Sequence, residues 1–301
     1  MSKPYIIFTD DGSDTPFSVL SEYECGIAAM HCTIEEASYN YVYNDIDNYI
    51  DFYDKIRNGF AAHTEPLSKD EFFALLAPYM EKGLDILFIS FSSLLSGSYH
   101  NLCEAKEMLK KKYPTQSLII VDSKRAAASV ALMVEQALKM QQDGKSLAEV
   151  YQWLERYKLS YHSLFMIDDI FYITNESERG TVKDQSASSA VSSTLAHFAM
   201  LVNSKPILHI DPSGKIDVLE TPSGRKKAID KMCAILKEKA YTPENNIIYI
   251  SHGDCMQDAE KLKEKIESKL NFKEVRVIIS GPMIGSHMGP DTLCVSYMGK
   301  G

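Results

Sequence analysis

Short runs of β-branched and aromatic residues alternate with amphipathic stretches through the first half of the chain, which is the pattern of an α/β fold. YIIFT (5–9), DILFISF (85–91) and SLIIVDS (117–123) predict buried strands. The acidic turn DDGSD leads from the first strand into a helix at Pro16, a favoured first helical position. Helical patterns over about 97–112 and 125–142 follow the other two strands. Strand, turn, helix and strand joined by short connections imply parallel pairing with right-handed crossovers. This half is Rossmann-like in layout.

The second half changes character. SLFMIDDIFYI (163–173) and SKPILHIDPSGKIDVLE (204–220) are strand-rich, with a turn at Pro212-Ser213-Gly214 between two of the strands. A helix over about 224–239, the strand NIIYISHG, a helix near 256–269 and the strand EVRVIISG complete an α+β pattern. Two domains are expected, 1–158 and 159–301, and the length suits that count. Two stretches stand apart. Residues 39–54, rich in tyrosine and aspartate, read as an extended arm or exposed strand with amphipathic aromatics, or else as a recognition surface. Residues 174–189 are small and polar and read as a surface loop.

Composition narrows the function more than the fold. A hydrophobic fraction of 45% with 24% charged residues excludes wholesale disorder. Thirty-two basic against 41 acidic residues leave a net charge of −9, the wrong sign for a protein that tracks nucleic-acid phosphates. The six cysteines include no Cys-x-x-Cys pair for zinc or redox work. The segment between Asp184 and Lys205 lacks formal charge yet carries six serines, a poor membrane span. The amino terminus reaches acidic residues before any signal-peptide apolar run develops, so a reduced, cytoplasmic protein is expected.

No dinucleotide or phosphate-loop glycine pattern follows the first strand, and no HExxH or EF-hand appears. Neither a metal nor a cofactor is therefore expected. What remains are hydroxyl-rich turns at strand ends. In SFSSLLSGSYH (90–100) a strand ends at Phe91 and a helix opens near Gly97, which places Ser96, or Ser92 or Ser93, at a positive helix end suited to a carboxylate or phosphate. Plain helix capping accounts for the same serines. In HTEPLSKDEFF (63–73), Ser68 and Glu71 form a capping box, which leaves Thr64 in the preceding loop with its hydroxyl free. In ISGPMIGSHMGPD (279–291), glycines and prolines surround His287, whose imidazole can donate to an anion, act as a base or simply satisfy a loop.

Taken together these segments resemble the DegV family of bacterial fatty-acid-binding proteins, nearly end to end. FTDDGSDTP (8–16) is similar to the family's opening strand and turn. TEPLSKDEF (64–72) matches its Thr-Ser-x-x-Ser-x-x-x-Phe segment at Thr64, Ser68 and Phe72. SSLLSGSYHNLCEA (92–105) resembles its Ser-Ser-x-Leu-Ser-Gly-Thr-Tyr signature, and VDS (121–123), IDDIFYI (167–173), KPIL (205–208), GRKKAI (224–229) and GPMIGSHMGPD (281–291) follow in order. The resemblance implies a two-domain carrier that buries one long-chain fatty acid (C14–C18, such as palmitate, stearate or oleate) between its domains. Thr64 and Ser96 would bind the carboxylate, with His287 and Gly97 nearby and Ser93 supporting the turn. It also implies a partner, a separate fatty acid kinase whose acyl phosphate product enters phospholipid synthesis, and no catalytic nucleophile in the carrier itself.

Burying about fifteen methylenes at roughly 0.8 kcal/mol each gives about 12 kcal/mol of gross transfer energy, so the tail sets affinity and the hydroxyls position the head. Apolar residues of the second half are the expected tunnel wall: Phe165, Ile167, Phe198, Leu201, Val202 and Ile284. Two family arginines fall on Ala190 and Ser223, although Arg225 and the lysines after it fit. These departures bear on the kinase contact more than on lipid binding. The alternative chemistry is a hydrolase or acyltransferase using Ser96 with His287, but LLSGS lacks the glycine two residues before the serine that a nucleophile elbow needs. A pure protein-interaction scaffold is a third reading.

Overall fold

A computed structural model describes residues 4–39, 46–174, 203–241 and 246–300. The first half supplies β1 (Tyr5–Asp10), α1 (Phe17–Glu22), β2 (Gly26–Ala28), β3 (His31–Ile34), β4 (Ala37–Ser38), α2 (Ile46–Arg57), β5 (Ala62–Glu65), α3 (Lys69–Glu81), β6 (Asp85–Ser90), α4 (Ser98–Lys112), β7 (Leu118–Asp122), α5 (Ala128–Gln142) and α6 (Leu147–Tyr157). The second half supplies β8 (Tyr161–Met166), α7 (Phe171–Thr174), β9 (Ile207–Ile210), β10 (Ile216–Glu220), α8 (Arg225–Lys239), β11 (Ile247–His252), α9 (Met256–Lys269), β12 (Glu274–Ile279), α10 (Pro282–Met288) and β13 (Leu293–Met298).

Three sheets organise these elements. β2, β1, β6 and β7 form a parallel sheet in that order, with Phe8 opposite Phe88 and Ile89 opposite Val121. All but the first residue of β6 are buried, as a strand covered on both faces requires. A six-stranded sheet runs β10-β9-β8-β13-β11-β12, antiparallel except for the β11–β12 pair. The fold is thus mixed α/β, with a parallel sheet in the first half and a mixed sheet in the second. A small antiparallel sheet, β4-β3-β5, joins Cys32 to Thr64 in register.

The helix α5 lies against strands of both large sheets, touching β1, β6, β8, β11 and β13. Its residues are buried nearly all round, including Glu135, which tertiary packing imposes and a surface helix would not tolerate. Glu135 accepts hydrogen bonds from Tyr249 Oη (2.8 Å), Arg276 (3.0 Å) and Lys139 (2.5 Å), which answers its charge. Phe165, Tyr249, Met283 and Cys294 of the second half share one apolar core with Ile7, Phe8 and Phe88 of the first.

Four sequence expectations change here. Residues 46–54 of the stretch read as an extended arm, exposed strand or recognition surface belong to α2, an amphipathic helix that buries Tyr49, Phe52, Tyr53 and Ile56; residues 40–45 of that stretch lie outside the described residues. Thr64 sits on β5, not in a loop. The strand expected to 173 ends at Met166, and 171–174 turn into α7. His287 lies in the last turn of α10, a helix started by Pro282 at its first position, where a glycine-rich loop was expected. The capping box of Ser68 and Glu71 is present at the start of α3. The expected loop at 174–189, beyond Thr174, and Phe198, Leu201, Val202 and Ala190 lie outside the described residues.

Candidate functional site

The pairing of β5 with β3 holds Thr64 at the sheet's outer strand, 8% exposed, while α10 packs across β5 and β3 and carries His287 over it. Thr64 Oγ1 and His287 Nε2 lie 3.2 Å apart, a hydrogen bond whose direction depends on the imidazole tautomer. The hydroxyl expected to be free is therefore engaged.

The second hydroxyl turn is built on the end of β6. Ser92 is buried, donates its N–H to the Arg125 carbonyl (2.8 Å) and lies beneath the β9–β10 turn, with its Oγ 3.4 Å from the Gly214 carbonyl. Ser93 is pinned by Asp122 at the end of β7, through its N–H (3.1 Å) and its hydroxyl (2.7 Å). Ser96 Oγ accepts the Ser98 N–H (3.0 Å) from one position outside the cap of α4, and the cap itself is Gly97, with φ −68°, a value any residue adopts. Asn101, one turn into α4, donates to the Leu67 carbonyl (2.8 Å), which ties the Ser96 turn to the segment that leaves Thr64.

Ser98 is a residue the sequence reading did not single out. It is 1% exposed at the opening of α4, and its Oγ has no hydrogen-bond partner among the described residues. Arg125 was missed as well. It is 1% exposed and spends its guanidinium on the carbonyls of Lys124 (2.8 Å), Leu159 (3.0 Å), Tyr161 (2.5 Å) and Asp211 (2.9 Å), three of them on the far side of the α6–β8 junction or in the β9–β10 turn. Burial brings its pKa down to about 10, which leaves it charged at neutral pH. Nothing in the local sequence SKRAAAS distinguishes this arginine from a surface one, because its partners are backbone oxygens brought in by the fold.

The acidic turn after β1 is buried whole. Asp10 accepts the Phe91 N–H (3.0 Å) and the Ser90 hydroxyl (3.1 Å), Asp11 accepts the Met30 N–H with both oxygens (3.1 Å), and Asp14 accepts the Gly281 N–H (2.9 Å). Burial raises Asp10 and Asp14 each to about 7 and pushes Asp11 well above the carboxylate range, against the pull of those hydrogen bonds. Through them the turn aligns the end of β6, the start of β3 and the start of α10.

Of the expected tail residues, Phe165 and Ile167 are buried in the core, and Ile284 is half-buried on α10. Phe165 and Ile284 meet Tyr53, Met288 and Cys294 around a cavity of about 10 Å³, room for one water and not for a methylene chain. Ser223 pairs with Ser204 as an isolated bridge, and Arg225 is engaged by Asp168 (3.1 Å) and Asp258. Among the described residues no group of His, Cys, Asp and Glu side chains could hold a metal ion, and no helix is long and apolar enough to cross a membrane.

A parallel-sheet half and a mixed-sheet half, with a histidine of the second half against a threonine of the first, define a mixed α/β protein. The chain belongs to the DegV family: the model described as "Uncharacterised protein, DegV family" matches residues 5–300. A DegV domain-containing protein of Clostridium perfringens is 32% identical over 99% of this chain and 98% of its own length. Among solved structures, a fatty-acid-binding DegV family protein from Thermus thermophilus superposes with a TM-score of 0.82 at 22% identity, covering 99% of this chain and 100% of its own. A stearic-acid-binding protein from Eubacterium ventriosum does so with a TM-score of 0.79 at 19% identity, covering 98% of both chains.

Proposed function

We propose that this protein binds one long-chain fatty acid of C14–C18 between an N-terminal domain, 1–158, and a C-terminal domain, 159–301. Thr64 and Ser96 hold its carboxylate, with Ser93, Gly97 and His287 completing the head-group site. The observation that carries this reading is the Thr64–His287 hydrogen bond at 3.2 Å. The contact brings a hydroxyl of the first half and an imidazole of the second to one place, two groups that can each donate a hydrogen bond to a carboxylate. Family membership and the lipids bound by the Thermus and Eubacterium relatives support the same ligand class. Phe165, Ile167, Phe198, Leu201, Val202 and Ile284 wall the acyl chain. Entry of a tail beside Phe165 and Ile284 requires that wall to open from its water-sized gap.

In this reading the protein is a cytoplasmic carrier and not an enzyme. It presents the carboxylate to a separate kinase for phosphorylation, and the acyl phosphate goes on to phospholipid synthesis. Ser96 is occupied as the acceptor of the Ser98 N–H, and it is Thr64 that pairs with His287 at Nε2, which favours the carrier over a Ser96–His287 hydrolase. Native mass spectrometry of the purified protein, followed by lipid extraction, tests the proposal. A C14–C18 fatty acid at near-unit occupancy is the expected result. A lipid-free protein that also refuses added oleate and palmitate overturns it.

A further inference from the structure

The two hydroxyls assigned to the carboxylate stand on separate pieces of the first half. Thr64 is on β5, in the small sheet β4-β3-β5, and Ser96 is in the turn between β6 and α4. Two donors serve one small head group well only if the pieces that carry them keep a fixed separation. The side of the small sheet is braced. Cys32 on β3 lies opposite Thr64, and the adjacent His31 places its Nε2 2.8 Å from Glu71 Oε1 on α3. Glu71 Oε2 in turn accepts the N–H (2.8 Å) and the hydroxyl (2.7 Å) of Ser68. The segment 64–68 is thereby fastened to β3 at both ends.

Asn101 joins that fastened segment to the other piece. Its backbone N–H donates to the Gly97 carbonyl (3.2 Å), beside Ser96, and its side chain donates to the Leu67 carbonyl (2.8 Å). A carbonyl only accepts, so the amide nitrogen is the atom that faces Leu67. One residue grips both pieces. Lys69 and Glu104 also link α3 to α4, at 3.3 Å, but both side chains are exposed, where an ion pair contributes little.

We propose that Asn101 is a positioning residue of the head-group site: through the Leu67 carbonyl it sets the place of Thr64 relative to the Ser96 turn. The inference rests on the carboxylate reading of those two hydroxyls. Its signature is selectivity for the head group. A methyl ester keeps the acyl chain but not the charged acceptor, so well-placed hydroxyls contribute less to it than to a carboxylate. A residue that places the hydroxyls therefore matters for the acid and hardly for the ester. A residue that only stabilises α4 affects the two alike.

The test measures binding of oleate and of methyl oleate to the lipid-stripped full chain, in the wild type, Asn101→Ala, Asn101→Asp, Thr64→Ala and the Asn101→Ala/Thr64→Ala double variant. Alanine removes the amide with a good helix former, and aspartate keeps its shape but sets an acceptor against the carbonyl. Asn101 is half-buried, and both changes leave α4 its buried Leu102, Ala105 and Leu109. Each single Asn101 variant is expected to weaken oleate about fivefold or more and methyl oleate by less than about twofold. Once Thr64 is alanine, Asn101→Ala is expected to cost less than about twofold further, because the two act as one unit. Equal losses for the two ligands, additivity with Thr64→Ala, or Asn101 variants that match a discriminating wild type overturn the proposal alone. A wild type that holds oleate and methyl oleate equally, or neither, overturns the head-group reading and this proposal with it.

Discussion

Thr64 on β5 and His287 on α10 are 223 positions apart in the chain and 3.2 Å apart in the fold. The contact exists because α10 lies across β3 and β5, and it makes the orientation of one hydroxyl depend on an imidazole from the other half of the molecule. If that hydroxyl holds a carboxylate, its loss removes a hydrogen bond to a charged group, about 1.5–3 kcal/mol, or roughly ten- to hundredfold in affinity. Thr64→Ala together with Ser96→Ala is expected to weaken oleate retention by at least that much while the melting curve stays cooperative. Unchanged retention in the double variant removes the head-group assignment.

Arg125 is the seam between the halves: its guanidinium binds four carbonyls, three of them in the second half. Arg125→Met leaves those acceptors buried, and a loss of about 3–5 kcal/mol is expected by urea denaturation. A midpoint within experimental scatter of the wild type contradicts this account of the seam.

The acid turn gives stability a pH dependence of defined sign. Asp14 titrates near 7 in the folded protein and near an ordinary carboxylate value, about 3.9, when unfolded. Between those values the folded state holds a proton that the unfolded state has released, so stability from this group is complete at low pH and declines as pH rises from about 4 to 7. Asn at this position can still accept the Gly281 N–H through its amide oxygen. Asp14→Asn is therefore expected to gain on the wild type steadily across that window in urea melts at stepped pH. A difference independent of pH contradicts the raised pKa.

Gly285 lets α10 approach α2. A methyl group there would stand 2.6 Å from Tyr53 Oη and 2.9 Å from a Phe52 ring carbon. Tyr53 cannot retreat, because it is fully buried and donates to the Ser280 carbonyl (3.0 Å). Gly285→Ala is expected to cost about 1–3 kcal/mol in thermal or urea unfolding and, by tilting α10, to loosen the Thr64–His287 contact. Wild-type stability in this variant indicates that the two helices are not close-packed.

Where a strand was covered on both faces, as in DILFIS, or where a helix carried its own cap, as at Ser68 and Glu71, the element was legible in the sequence. Legibility failed where neighbours override local pattern. The tyrosines and aspartates of 46–57 look like surface material until α10 supplies a partner for Tyr49, Phe52 and Tyr53. Thr64 looked like a loop hydroxyl because the Ser68–Glu71 capping box opens a helix just after it, yet the pairing with Cys32 carries a strand through it. Ser93 and Ser96 were legible as candidates from the turn alone, whereas Asp122 and Ser98 beside them were not.

By itself the sequence determined the α/β order of the first half, the mixed second half, the family and the candidate hydroxyls, because these follow from periodicity, turn chemistry and ordered short motifs. Tertiary structure alone decided which of those hydroxyls meets an imidazole, which arginine is buried, and where acid side chains keep their protons. Each of these depends on groups distant in sequence sharing a low-dielectric interior, where backbone carbonyls and amides, invisible in a string of side chains, supply the partners.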